Sequence, residues 1–147
     1  MNLIKNNLVI ELHVPDFSLV RDFYSKLGFV QIYQEETGEL PGYLVLQRED
    51  ELGKTILNFY GDDERVYNQS YFKKFPKETV RGYAVELTVP VFGIEDFFSK
   101  IKKEVPESVV QNLIVKKAIN KEWRDFRLVD PFGFYLRFTE PLDWGQS

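Results

Sequence analysis

Apolar and polar residues alternate in two stretches that read alike, LVIELHV at residues 8–14 and YAVELTV at residues 83–89. This alternation has the period of a β-strand, whose successive side chains point to opposite faces of a sheet. The polar positions on one face of these strands are Glu11, His13, Glu86 and Thr88. Pro15 and Pro90 follow the two stretches and predict the end of each strand.

A helical spacing of apolar residues follows each of these strands. The predicted buried stripes are Leu19, Phe23 and Leu27 in the first helix, and Ile94, Phe97, Phe98 and Ile101 in the second. Asp16 or Ser18 can cap the first helix, because both side chains accept hydrogen bonds from exposed backbone N–H groups. Gly28 stands where a left-handed stop is favoured.

Three further strands are predicted after each helix, so each half of the chain reads β-α-β-β-β. They span residues 29–36, 42–48 and 54–60 in the first half, and 113–119, 123–129 and 134–140 in the second. Asp130-Pro131-Phe132-Gly133 is a good turn sequence. It makes Gly133 the counterpart of Gly53, the glycine that precedes the last strand of the first half.

The two halves are also similar in sequence. IELHVPDFSLVRDFYSK at residues 10–26 aligns with VELTVPVFGIEDFFSK at residues 85–100, with one gap. Glu11 pairs with Glu86 in this alignment, and the remaining differences stay mostly within one chemical type. We therefore predict an α+β protein built from two tandem βαβββ modules, at residues 1–60 and 81–147, in one compact domain.

Residues 61–80 join the modules. This linker is polar but carries four aromatic residues, Tyr67, Tyr71, Phe72 and Phe75, and a short helix is predicted near residues 68–75. Two interpretations stay open for such a long connection. It is either a solvated loop anchored by aromatic side chains, or a hinge that lets two chains exchange halves.

Composition excludes several classes of protein. The 147 residues, 44% of them hydrophobic, are enough for one core, and the net charge of −4 argues against a nucleic-acid binder. Cysteine is absent, and His13 is the single histidine, so thiolate chemistry is excluded and imidazole chemistry is scarce. No apolar run approaches a membrane span and no secretory signal is evident, so we expect a cytoplasmic protein.

The phrases VPDFSLVRDFYSKLGF (14–29), RGYAVELTV (81–89) and WRDFRLVDPFGFYLRF (123–138) resemble the vicinal oxygen chelate superfamily. That superfamily includes glyoxalase I, extradiol dioxygenases, and fosfomycin and bleomycin resistance proteins. The last phrase is most similar to the bleomycin resistance branch. The resemblance implies that the modules form a curved mixed sheet with a central cleft, and that the protein is a homodimer.

The resemblance also implies where a metal would bind. Enzymes of the superfamily take one ligand, usually His or Glu, from the first and last strand of each module. The matching positions here are Val9, Leu57, Ala84 and Arg137, none of which is a ligand for a divalent ion. We therefore expect no metal, no cofactor and no enzymatic activity. The alternative is a metal-dependent glyoxalase- or dioxygenase-type enzyme with ligands relocated to Glu11, His13 and Glu86.

The expected function is binding and sequestration of a small organic ligand in the cleft. Cationic, drug-like molecules are among the ligands considered. The ligand-binding candidates are Glu11, His13, Glu86, Thr88, Trp123, Tyr135 and Arg137. Carboxylates suit cationic groups, and flat rings stack on heteroaromatic ones. An internal salt bridge from Glu11 or Glu86 to Arg137 is the competing interpretation of the charged residues. We expect no catalytic residue, since the sequence lacks a Gly-x-Ser-x-Gly elbow or a partner suggesting a triad for His13.

Overall fold

The structure is a computed structural model that describes residues 8–34 and 42–141. The described residues form two compact units. The first unit runs up to Glu49 and continues at Lys54–Glu78, and the second consists of Asp50–Gly53 and the chain from Thr79 onward. None of the described helices is long and apolar enough to cross a membrane.

Each unit has the predicted order of one strand, one helix and three strands. The elements of the first half are β1 (Glu11–Val14), α1 (Phe17–Lys26), β2 (Val30–Gln34), β3 (Gly42–Asp50) and β4 (Gly53–Gly61). Those of the second half are β5 (Glu86–Pro90), α2 (Ile94–Glu104), β6 (Val109–Ala118), β7 (Lys121–Val129) and β8 (Tyr135–Pro141). The predicted α+β fold with a repeated βαβββ module is confirmed.

The strands form two four-stranded mixed sheets with the same topology. The orders are β1-β4-β3-β2 and β5-β8-β7-β6, and in each sheet the first strand runs parallel to the last. The β2–β3 and β6–β7 pairs are antiparallel. A parallel pair needs a crossover connection, so the helix and the two middle strands of each unit lie between its paired first and last strands in sequence.

Helix α1 begins where the sequence predicts. The Asp16 carboxylate accepts a hydrogen bond from the Leu19 backbone N–H at 3.1 Å, and Gly28 adopts a left-handed backbone (φ +86°) just past the end. The predicted stripe is wrong at Leu19, which is 46% exposed. Helical geometry instead buries Phe17, Val20, Phe23, Tyr24 and Leu27, which recur every three or four residues on one face.

Helix α2 is capped from the sheet that it covers. Its N-cap residue is Gly93 (φ +69°), which has no side chain to accept the first backbone N–H groups. The Glu140 carboxylate of β8 accepts from the Gly93 N–H at 3.1 Å and the Ile94 N–H at 3.4 Å. A carboxylate at this end also interacts favourably with the helix dipole, so β8 fixes where α2 begins.

Both first strands are shorter than predicted. Residues 8–10 and 83–85 precede β1 and β5 without strand structure, and Ala84 adopts a left-handed backbone (φ +61°). The linker forms two short 3-10 helices, Glu64–Tyr67 and Phe72–Lys74, of which the second falls within the predicted helical region. The predicted strand residues 35–36 lie outside the described part of the chain.

Candidate functional site

The first unit carries an aromatic face on the side of its sheet away from α1. We define this aromatic face as Glu11, His13, Tyr43, Tyr60 and Phe72. The His13 ring lies 4.7 Å from the Tyr60 ring and 5.1 Å from the Phe72 ring, and the Tyr43 and Tyr60 rings are 5.3 Å apart (centroid distances). Parallel pairing of β1 with β4 explains this, because it sets His13 directly beside Tyr60.

A carboxylate lies within these rings. Glu11 Oε1 is 3.0 Å from His13 Nε2, and about a third of the Glu11 side chain is exposed. Burial raises the pKa of the Tyr43 phenol, and the negative charge of Glu11 raises it further. The aromatic face therefore combines exposed ring surface with negative charge, the combination that attracts organic cations.

The second unit carries a charged face on the corresponding side of its sheet. We define this charged face as Glu86, Gln111, Asp125, Arg127 and Arg137. Asp125 is fully buried and accepts hydrogen bonds from Gln111 Nε2 at 2.9 Å, from Arg127 at 3.1 Å, and from Arg137 at 2.8 and 3.1 Å. Lys116 Nζ adds a contact at 3.4 Å.

These contacts decide the charge of the buried carboxyl group. Burial alone would raise the pKa of Asp125, but hydrogen bonds from Gln111 and Arg137 and the nearby positive charges outweigh burial and lower it. Burial alone would likewise lower the pKa of Arg127, but the hydrogen bond to Glu86 and the charge of Asp125 raise it. Hydrogen bonds as well as charge therefore favour the charged forms of Asp125 and Arg127 at the centre of the charged face.

A groove of about 420 Å³ opens at one end of the second unit. Apolar side chains, two tyrosines and one carboxylate line it, together with backbone from the turn before β5 and the turn before β8. The lining residues are Val80, Gly82, Tyr83, Ala84, Val85, Glu86, Val129, Gly133 and Tyr135. The groove thus joins the charged face at Glu86.

The seven predicted ligand-binding residues separate into two groups. Glu11 and His13 lie together on the aromatic face. Glu86, Thr88 and Arg137 lie together in the second unit: Thr88 Oγ1 is 3.4 Å from Glu86 Oε1, and Arg137 Nη1 is 3.9 Å from it.

Tyr135 and Trp123 lie at opposite ends of the β7–β8 hairpin. Tyr135 opens β8, beside Glu86 and Val129, and lines the groove. Trp123 lies near the start of β7, and its buried indole N–H has no hydrogen-bond partner among the described residues. Among the candidates of the second unit, Tyr135 therefore lies beside Glu86, whereas Trp123 lies at the far end of the hairpin.

Two central residues were not predicted from the sequence. Asp125 and Gln111 organise the charged face, yet neither belongs to the predicted set. The alternation of WRDFRLV contained the signal for Asp125, since it places Asp125 and Arg127 opposite the buried Phe126 and Leu128. Gln111 lies in β6, whose register against β7 is irregular at that point, and alternation gives no such signal there.

The four positions implied for a metal do not fit one. Val9 is an exposed aliphatic residue, Ala84 offers a methyl group, and Arg137 is bound to Asp125. Leu57 is buried on the face shared with Phe59, whose ring contacts Tyr24 of α1. Within the described residues, no group of three His, Asp or Glu side chains is arranged to hold a metal ion.

The pairing of the first and last strands also shows that Gly53 and Gly133 are not at the matching positions that the sequence analysis predicted. Glu11 pairs with Asn58, whereas its counterpart Glu86 pairs with Tyr135. The register therefore makes Tyr60 the counterpart of Arg137, since His13 pairs with Tyr60 and Thr88 with Arg137.

No protein-family model matches the chain, and a search of curated proteins finds no match. Solved structures do match over nearly their whole length. A glyoxalase family protein from Enterococcus faecalis is 20% identical, with 92% of this chain and 98% of that chain covered and a TM-score of 0.58. A glyoxalase/bleomycin resistance protein/dioxygenase from Alicyclobacillus acidocaldarius is 19% identical, with 95% and 96% covered and a TM-score of 0.56.

A bleomycin-binding protein complexed with bleomycin is also similar. It is 19% identical, with 92% of this chain and 98% of that chain covered and a TM-score of 0.56. Similarity at this level of identity establishes the fold and leaves the function to the site. The chain has the fold of the glyoxalase/bleomycin resistance protein/dioxygenase superfamily.

Proposed function

We propose that this protein is a metal-free binding protein for a small organic cation with an aromatic part, and that it acts by sequestering that ligand. The proposal assigns ligand contacts to Glu11 and His13 of the aromatic face. It also assigns contacts to Glu86, Thr88, Trp123, Tyr135 and Arg137 of the second unit. A homodimer and a cytoplasmic location are part of the same proposal.

The observation that carries the proposal is the position of Glu11 among four rings. Tyr43 and Phe72 are each 37% exposed, so flat ring surface remains open beside the carboxylate. A cation held over these rings gains from their negative faces and from the charge of Glu11. Ring stacking in turn orients the aromatic part of the ligand.

The residues at the implied metal positions support binding without a metal. None offers a ligand atom for a divalent ion, and the one cationic residue among them, Arg137, is held by Asp125. One protein of similar structure binds bleomycin, and this is the reason to test bleomycin first. Bleomycin is one candidate among organic cations, because fold does not determine the ligand.

Calorimetric titration with metal-free bleomycin, followed by simpler arylammonium ions, tests the proposal. We expect saturable binding with Kd on the order of micromolar, and about tenfold weaker binding in Glu11→Gln, equivalent to about 1.4 kcal/mol. The matched control is Glu49→Gln, another carboxylate of the first unit, whose side chain is 55% exposed and lies 3.8 Å from Lys54.

Two results would reject the proposal. One is the absence of heat from every cation tested at concentrations up to about 1 mM, a range that covers weak binding. The other is equal affinity of Glu11→Gln and the unaltered protein. Sedimentation equilibrium tests the proposed homodimer separately, since a mass of 17.4 kDa at all concentrations would exclude it.

A further inference from the structure

The geometry points to a ligand subsite in the groove of the second unit that takes a neutral aromatic group bearing an N–H donor. This inference rests on the proposed function only in taking Glu86 and Tyr135 as ligand contacts. It names the chemistry that those contacts select, which differs from the chemistry of the aromatic face. Because all lining residues belong to the second unit, it can be tested independently of Glu11.

The groove is lined mainly by exposed apolar and aromatic side chains. Tyr83 is 82% exposed, Val80 62% and Val85 53%, and Val129 and Tyr135 lie against each other across the β7–β8 pair. An occupant would remove this surface from water, which favours an apolar body such as an aromatic ring. A volume of about 420 Å³ is within the range of small-molecule pockets.

The turn that forms one wall is packed against Phe134, the residue just before β8. Gly82 has a left-handed backbone (φ +71°), and a Cβ at this position would lie 2.7 Å from the Phe134 ring. Val85 N–H donates to the Gly82 carbonyl oxygen at 3.0 Å and closes the turn. The groove is therefore formed before any ligand arrives, which reduces the entropic cost of binding.

The two carboxylate oxygens of Glu86 differ in how well they are satisfied. Oε2 accepts a hydrogen bond from Arg127 Nε at 3.1 Å. Among the described residues, Oε1 has only the long 3.4 Å contact from Thr88 and the 3.9 Å contact from Arg137. An oxygen with this spare capacity at the edge of an apolar groove is suited to a donor group on the ligand.

The charges nearby favour a neutral donor over a cation. Arg127 and Arg137 both lie within 4 Å of Glu86, and Arg127 holds it through a charge-assisted hydrogen bond. A ligand cation at Glu86 would approach both guanidinium groups, and like charges at such distances repel. An aryl N–H donor uses the spare lone pair without this cost.

The test is a fluorescence titration with N-phenyl-1-naphthylamine, a neutral arylamine whose emission rises when it leaves water. We expect saturable binding with Kd on the order of micromolar. Val129→Phe fills the groove, so this variant should bind the dye at least about tenfold more weakly. The matched control is Val110→Phe, a β6 valine that is 54% exposed and lies outside the groove, which should bind within about twofold.

Glu86→Gln tests the donor contact, because glutamine has one acceptor oxygen, which Arg127 retains, and places an NH₂ group at the position of Oε1. Dye affinity lower by about threefold or more supports a donor group at Oε1, and an affinity equal to that of the unaltered protein overturns it. Equal binding by Val129→Phe also overturns the inference, as does full displacement of the dye by phenyltrimethylammonium. If Glu11→Gln binds the dye as the unaltered protein does, the subsite is independent of the aromatic face and remains supported even when cation binding is not observed. If only dye binding is absent, the proposal of a cation-binding aromatic face is unaffected.

Discussion

Replacing Asp125 by asparagine should destabilise the protein strongly. The buried carboxylate accepts hydrogen bonds from Arg127, Arg137 and Gln111 at 2.8–3.1 Å. Asparagine has nearly the same shape, but it removes the charge and puts an NH₂ group where an acceptor is needed. Two guanidinium groups then lose their shared counter-charge.

The magnitude follows from the burial of these groups. Removing one partner of a buried ion pair costs about 3–5 kcal/mol. The Arg127 and Arg137 side chains keep 13% and 22% of their exposure, and Glu86 remains near both, so the lower end of this range applies. With a urea m-value of about 2 kcal/mol/M, a loss of about 3 kcal/mol lowers the unfolding midpoint by about 1.5 M.

Urea unfolding followed by far-UV circular dichroism measures this shift. The matched control is Asp22→Asn, which removes a carboxylate that is 69% exposed and lies 3.2 Å from Lys26. Such a surface pair contributes about 0–1 kcal/mol, so its midpoint should move by no more than about 0.5 M. A shift that small in Asp125→Asn would refute the argument that the charged face depends on this carboxylate.

The same pair of proteins gives a pH test with a definite sign. The folded pKa of Asp125 is lower than its unfolded value of about 3.9, so its contribution is present above pH 4 and is lost as the pH falls through the folded pKa. The stability difference between the unaltered protein and Asp125→Asn should therefore be constant from about pH 7 to pH 5 and shrink in acid. A difference that grows as the pH falls would contradict the assigned direction.

Three further predictions concern the backbone, the first helix and metal content. Gly61→Ala should unfold the first unit or destabilise it by several kcal/mol, because the new Cβ would clash with the Val66 side chain. Gly53→Ala is the control, since its φ is similar (+132° against +126° at Gly61) but nothing lies within 4 Å of the new Cβ, so similar losses in the two variants would assign the effect to backbone strain alone. Asp16→Ala should lower stability by about 1 kcal/mol through loss of the helix cap, and a thermal unfolding midpoint equal to that of the unaltered protein would exclude this role. Protein purified without chelators should contain well below one divalent ion per chain by elemental analysis, whereas a stoichiometric ion lost in His13→Ala would favour the alternative of a metal-dependent enzyme.

Local patterns were sufficient wherever a structural choice depends on neighbouring residues. Alternation in LVIELHV and YAVELTV put Glu11, His13, Glu86 and Thr88 on the faces where the structure has them, although both strands are shorter than the alternating stretches. The sequence also predicted the cap at Asp16 and the turn at residues 130–133. In the structure, a 3.1 Å hydrogen bond from the Gly133 N–H to the Asp130 carbonyl oxygen closes this turn. Such features follow from backbone geometry over a few residues.

Only some residues of the charged face were identified from the sequence. Arg137 was identified, and its pairing with Glu86 was considered, but its main partner is Asp125. Asp125 precedes Arg137 by twelve residues, and Gln111 precedes Asp125 by fourteen, so no single strand contains the network. Its members meet only because β6, β7 and β8 are neighbours in the sheet.

The sequence by itself determined the repeated βαβββ order, the faces of β1 and β5, and the chemical type of each side chain. The tertiary structure alone decided the register of β4 against β1, which turns Leu57 toward α1 and Tyr60 toward Glu11's side of the sheet. A one-residue shift in register exchanges the two faces of a strand, and register is set by pairing with a strand more than forty residues away. Hydrogen bonds and packing between distant segments, which no local pattern encodes, therefore selected the aromatic face and the charged face.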